Sequence, residues 1–310
     1  MSTIDQQQHG ENSPVPEGAL VVGIDGSDRD ETCIRYAAGA AERTGRPLHL
    51  LHAQDIAVEL AAANPIAARG LAFVPDLVLD SGVLAEALEQ ARSQWPDLEI
   101  SGSEPWMHPE EALIDASENA YMIVVGASRI SGLERLLLGR SALAVSLHAS
   151  CPVVIMPEGG RTDPDGPVVL GFDGSEGARA AARRALWIAN LRGTSVRVVT
   201  SWYAEVVEGA VVTTPGTPAW EQVERRFRTM VEEGIADLRA EYPDVEVDIR
   251  VVRGPAAEVL TKQAADASML VIGSRGRGGF RSMLLGSVSH KVIETASSPV
   301  MVIRDKKQAR

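Results

Sequence analysis

Apolar residues fall into two rhythms along this chain. Short, uncharged, β-branched runs alternate with longer stretches in which an apolar residue recurs every three or four positions. In the second half, residues 168–172, 195–201, 245–252, 269–273 and 300–303 read as buried strands. Residues 177–191, 221–242, 256–266 and 287–295 read as helices between them. Within 221–242, Val223, Phe227, Met230, Val231, Ile235 and Leu238 share one helical face, with charges on the other. The order β-α-β-α-β-α-β-α-β, with short connections and strands apolar throughout, closes as a parallel, doubly wound α/β sheet. Ligands are expected at the strands' carboxyl ends near the switch point.

The same pattern occurs twice. LVVGIDGSDRDETCIRYAAGAAERTGRPLHLLHAQ from Leu20 matches VVLGFDGSEGARAAARRALWIANLRGTSVRVVTSW from Val168, with Asp173 lying 148 positions after Asp25. Gly273 answers to Gly126 and Pro299 to Pro152, both 147 positions on. Two tandem five-stranded domains are therefore expected at 19–157 and 168–304, joined by a flexible linker at 158–167 and ending in a tail at 305–310. A length of 310 residues agrees, since a domain takes about 150. Residues 1–18, polar and without an apolar core, are expected to be a loose arm rather than a signal or transit peptide.

Composition narrows the class. No uninterrupted apolar stretch reaches the roughly 18 residues a membrane span needs, so no membrane partner is expected. A net charge of -12 argues against general binding of nucleic acid. The two cysteines, Cys33 and Cys151, belong to no metal or redox spacing, and a reducing cytoplasm is the expected setting.

The chemistry concentrates after residues 269–272, where Gly273-x2-Gly276-x9-Gly286-Ser287 leads from a strand into a helix. Gly276, Gly278 and Gly279 let the backbone turn back, and the helix opening at Gly286-Ser287 offers free N–H groups to an anion. Arg275, Arg277 and Arg281 bring positive charge to this loop of an acidic chain. Taken alone, the glycines are equally a strand-to-helix turn, and Asp173 in Asp-Gly-Ser is equally a helix cap. Ser27 to Asp30 and Ser175 also begin helices, where capping is the default role. His49 and His52, three apart on one strand, face opposite ways and share no metal, whereas His290 on the last helix reads either as a phosphate neighbour or, more commonly for such a position, as a surface or packing residue. No Ser-His-Asp order, paired-carboxylate site or Gly-Lys-Ser/Thr loop is present, so fast ATP hydrolysis has no evident machinery. The first strand-to-helix turn, GFDGSEG, places an aspartate where a dinucleotide pyrophosphate would approach, which argues against NAD.

GFDGSEGA at 171–178, RGPAAEVL at 253–260 and the full glycine pattern together resemble the ATP-binding type of the universal stress protein family. The resemblance runs from about Leu20 to Ile303, in the tandem form common among actinobacterial members. It implies ATP with accompanying Mg2+. Gly171, Asp173 and Ser201 would serve adenine and ribose. Gly273, Gly276, Gly286, Ser287 and Val288 would serve ribose and phosphates, and Arg275 and Arg277 would add charge. It also implies a regulatory protein rather than an enzyme, with slow hydrolysis or self-phosphorylation at most. The alternative is a nucleotide-independent interaction module. Edge strands 153–156 and 300–303 are expected to pair across a pseudo-dyad, with two chains then forming a homodimer. A second site is possible around Gly23, Asp25, Ala53, Gly126, Arg129, Gly139, Arg140 and Ser141. There Arg129 replaces the second glycine, Arg140 the serine, and Met107 the counterpart of Gly254. Two readings stay open: Arg129 and Arg140 grip phosphate, or they fill an emptied site.

Overall fold

The computed structural model describes residues 13–54, 82–129, 136–137, 140–159, 165–207, 209–277 and 285–304. Expectations for residues 1–12, Gly139, Gly278, Gly279, Arg281 and the tail fall outside these. The chain divides into two units, one of residues 1–126 with 140–145 and the other of 127–139 with 146–310.

In the first unit, β1 (Leu20–Gly23), α1 (Arg29–Thr44) and β2 (Leu48–Leu51) are followed by α2 (Val83–Gln94), β3 (Ile100–Ser103), α3 (Pro109–Ala116) and β4 (Met122–Arg129). The strands lie in the order β4-β1-β2-β3, all parallel. All of β2 is buried, including His49. The His49 imidazole is satisfied by the Ser101 hydroxyl at 2.9 Å and the Ser103 hydroxyl at 2.8 Å on the next strand. His52 lies one residue past the strand and turns to the Ile24 carbonyl at 3.1 Å, so the two rings diverge.

The second unit begins with β5 (Leu136–Leu137), antiparallel to the end of β4, followed by α4 (Arg140–His148), which starts in the first unit, and β6 (Val153–Pro157). Next come β7 (Val168–Gly171), α5 (Glu176–Arg192), β8 (Val196–Trp202), a hairpin of β9 (Val206–Val207) and β10 (Ala210–Val211), and α6 (Pro218–Glu241). The unit closes with β11 (Val247–Arg253), α7 (Ala256–Gln263), β12 (Met269–Gly273), α8 (Ser287–Thr295) and β13 (Val300–Ile303). The order is β11-β8-β7-β12-β13-β6, parallel except that β6 runs antiparallel to β13, with Val300 opposite Ile155 and Val302 opposite Val153.

The first repeat's fifth strand thus lies in the second unit's sheet. Its aliphatic residues are buried at every position, and its pairing with β13 gives its backbone groups partners that an uncovered edge would lack. Around this sheet, Leu170, Leu186, Ile235, Leu238, Met269, Leu270 and Ile293 are fully buried. Each contributes about 1.5–3 kcal/mol before entropy is counted.

Candidate functional site

β7 pairs with its successor β8 on one side and with β12 on the other, so the chain leaves the sheet in opposite directions at β7 and β12. A crevice opens at such a switch point. Here it is a cavity of about 530 Å3 that every residue expected in the second-repeat site helps to line. Gly171, Asp173 and Ser201 line it from the ends of β7 and β8, and Gly273, Arg275, Gly276, Arg277, Gly286, Ser287 and Val288 line it from the loop after β12 and the start of α8.

The end near β8 has an apolar wall. A Cβ on Gly171 would lie 3.1 Å from both Leu260 and Ile272, so its absence lets both side chains close on the strand end. Val199 and Thr200 join them, and Ala178 completes the lining beside Asp173. These residues carry no motif of their own. Leu260 is legible only as part of RGPAAEVL, and Val199 and Thr200 only as strand residues preceding Ser201.

Asp173 fastens the two loops together. Its Oδ1 accepts the Ser175 N–H at 3.0 Å and its Oδ2 the Arg277 N–H at 2.9 Å, which leaves lone pairs on both oxygens for a ligand. The loop glycines are small for different reasons. A Cβ on Gly276 would sit 2.3 Å from the Asp173 Oδ2, and one on Gly273 would sit 2.8 Å from the Gly177 carbonyl carbon. These two make room for the protein itself. At Gly286 the nearest protein atoms would be an ordinary 3.6 Å away, so only there does the missing side chain leave space for something else.

The start of α8 is pinned at this point. Gly286 donates its N–H to the Ser274 carbonyl at 2.8 Å, and the Ser289 hydroxyl donates to the Gly273 carbonyl at 2.9 Å. The first-turn N–H groups of Ser287 and Val288 have no partner within the helix and open to the cavity side. Positive charge crowds the same place. Burial and the charge of Arg275 together hold the Arg304 guanidinium below its ordinary pKa. Arg304, just past the last strand, is outside every motif. His290 faces Glu294 on its own helix at 3.5 Å rather than the cavity.

The first repeat keeps one end of this geometry and changes the other. A Cβ on Gly23 would meet Leu113 at 3.1 Å and Val125 at 3.4 Å, which repeats the packing of Gly171. Ala53 follows β2 in a half-buried position. Asp25 accepts the Ser27 N–H at 3.1 Å, but its other oxygen is taken by the Arg29 guanidinium at 2.8 Å. Gly126 faces the Arg29 side chain, with atoms at 3.5–3.6 Å from the Cβ position. Asp30 turns its carboxylate onto the N–H groups of Asp25 at 3.1 Å and Gly26 at 2.7 Å. Burial, with the charge of Asp25, pushes the Asp30 carboxyl up to about 6. Burial would also raise Asp25, but its contacts with Ser27 and Arg29 outweigh this and leave it lowered.

Arg129 lies in β4 opposite Leu136, in strand rather than turn, and Arg140 opens α4; their side chains fall outside the described residues. The Ser141 hydroxyl donates to Glu110 at 3.4 Å. The expected cap at Ser27 is not made. α1 begins after Asp28 without a side-chain cap, whereas Ser175 caps α5 by accepting the Ala178 N–H at 3.1 Å. Both cysteines are buried, and burial pushes the Cys33 thiol up to about 12. Among the described residues, no grouping of His, Cys, Asp and Glu is arranged to hold a metal ion.

The sequence profile of the Universal stress protein family matches residues 18–157 and 166–304. A universal stress protein of Mycolicibacterium smegmatis is 34% identical over 295 residues, covering 93% of this chain and 97% of its own. One from Mycobacterium tuberculosis strain H37Rv is 30% identical, over 92% of this chain and 96% of its own. A crystal structure of a universal stress protein from Archaeoglobus fulgidus has the same fold, with 21% identity and a TM-score of 0.61 over 92% of this chain and 98% of that one.

Proposed function

Because this chain belongs to the universal stress protein family, in two tandem repeats, we propose that it is a nucleotide-responsive regulator. Its second repeat would hold ATP. The observation that carries this reading is a single cavity joining an apolar wall, a strand-end carboxylate and an arginine-bearing glycine loop at a helix start. Leu260, Ile272 and Val199 offer adenine a flat apolar slot, and the remaining Asp173 lone pairs suit ribose hydroxyls. The first-turn amides of α8, together with Arg275 and Arg277, suit the phosphates.

Bound ATP supplies negative charge at the loop, and Mg2+ would travel with the phosphates, since no protein cluster among the described residues is built for it. The nucleotide is held more than used. Asp173 sits at the ribose end with two backbone N–H groups on its carboxylate, and His290 is turned to Glu294, so neither is placed to activate water. At most slow hydrolysis is expected. Homodimer formation and a cytoplasmic setting belong to the same proposal and rest on the family resemblance. Among the described residues no helix is long and apolar enough to cross a membrane.

The test is the nucleotide content of the purified protein, released by denaturation and resolved by ion exchange, beside Asp173→Ala. ATP present in the parent and lost in the variant supports the reading. No copurified nucleotide, followed by no calorimetric binding of ATP with Mg2+, leaves the interaction-module alternative.

A further inference from the structure

The two repeats differ in the first turns of α1 and α5, at the end of the segment GFDGSEGA. Gly177 and Ala178 follow Glu176 in the first turn of α5 in the second repeat; 148 positions earlier, α1 opens with Arg29 and Asp30. Ala178 lines the cavity of the second repeat, so Asp30 brings a carboxylate to the counterpart of that lining. The carboxylate is engaged with the N–H groups of Asp25 and Gly26, which it takes for itself. Arg29 covers Gly126 and takes the Asp25 oxygen whose counterpart in Asp173 accepts the Arg277 N–H. Glu110, where the second repeat has Ala257, takes the Ser141 hydroxyl at the start of α4. Two of these carboxylates, Asp30 and Glu110, have uncharged alanines as counterparts in the second repeat. A triphosphate approaching them meets like charge, while loop donors are already in use.

We propose that Arg29 and Asp30 close the first repeat's counterpart of the nucleotide site, so that this repeat is held by its own side chains in a filled form and takes no adenine nucleotide. The chain then carries one nucleotide, in the second repeat; that clause rests on the function proposed above, whereas the closure itself does not. Of the two readings that the arginines of the first repeat leave open, the geometry points to an occupied site. Among the described residues, the side chains that occupy it come from α1.

Photolabelling of the full chain with 8-azido-ATP and Mg2+, followed by peptide mapping, tests this against Arg29→Gly/Asp30→Ala. The parent is expected to be labelled only within 166–304, and the double variant to gain label within the first repeat by at least about fivefold. First-repeat label in the parent overturns the proposal, as does the absence of any gain in a double variant that melts cooperatively. Should the parent take no label anywhere, the ATP reading fails, and the gain or its absence in the variant still decides the closure. If the double variant does not fold, hydrogen exchange in Asp30→Ala decides instead. The Asp25 and Gly26 amides should exchange at least about tenfold faster than in the parent, and unchanged protection rejects the closure.

Discussion

Glycines that look alike in the motif have separate physical reasons for being small, and substitution separates them. Gly276→Ala forces a Cβ against the Asp173 carboxylate. Overpacking of this kind costs about 1–3 kcal/mol, and it should also unfasten the loop, so ATP affinity measured by calorimetry should fall at least about tenfold. Gly286→Ala meets no close protein atom, and its melting temperature should stay near that of the parent while nucleotide content drops. Equal losses of stability in the two variants would contradict this division. The sequence shows that both positions are glycine; it does not show that Asp173 is what Gly276 accommodates, because the two are 103 positions apart.

Two titrating groups, Asp30 half-buried and His49 buried, set opposite pH trends. The folded pKa of Asp30, about 6, lies above its ordinary 3.8, so the native state binds more protons between those values and stability falls as pH rises through them. His49 is lowered from 6.5 to about 4 by burial, so its contribution is present above pH 6.5 and is lost as pH falls toward 4. Urea melts from pH 4 to 7 should therefore lose the first slope in Asp30→Asn and the second in His49→Gln. A parental profile in either variant would refute the corresponding assignment.

Helix starts show the same contrast between repeats. Ser175 accepts the Ala178 N–H, and removing such a cap costs about 1 kcal/mol. Ser175→Ala should lower the denaturation midpoint accordingly. Ser27→Ala should change it by much less, because α1 begins after Asp28 with no side-chain cap. Asp-Gly-Ser reads identically in both repeats, and what differs lies further on, where Asp30 draws the loop amides to itself.

Strands and helices of the second repeat are legible to within three residues at either end, and the strands are buried as expected except β11, which lies at the end of the strand order with its residues half-buried or exposed. The hairpin of β9 and β10 is not legible. It has two residues to a strand, too few to show alternation, and it depends on Val207 and Val212 packing near Trp202, Trp220 and Val223. The continuation of β4 through Arg129 is hidden in another way: the repeat predicts a turn there, whereas the pairing with Leu136 depends on residues beyond it.

At the scale of the whole chain, a ligand held by one repeat should stabilise that repeat alone. ATP at about one hundred times its dissociation constant adds about 2.7 kcal/mol to the unit that binds it. Hydrogen exchange with and without ATP should therefore slow in β7, β12 and α8 while β1 and α1 stay unchanged. Equal slowing in both repeats would mean that both are liganded.

The pairing of β6 with β13 also bears on how such a protein can be taken apart. The boundary between the two copies of the sequence is not a seam in the folded chain, because the final strand of the first copy completes the sheet built by the second. A peptide bond cut between Gly159 and Asp165 should therefore not release two free pieces. A gene segment encoding only 166–304 would lack its neighbouring strand and leave β13 uncovered.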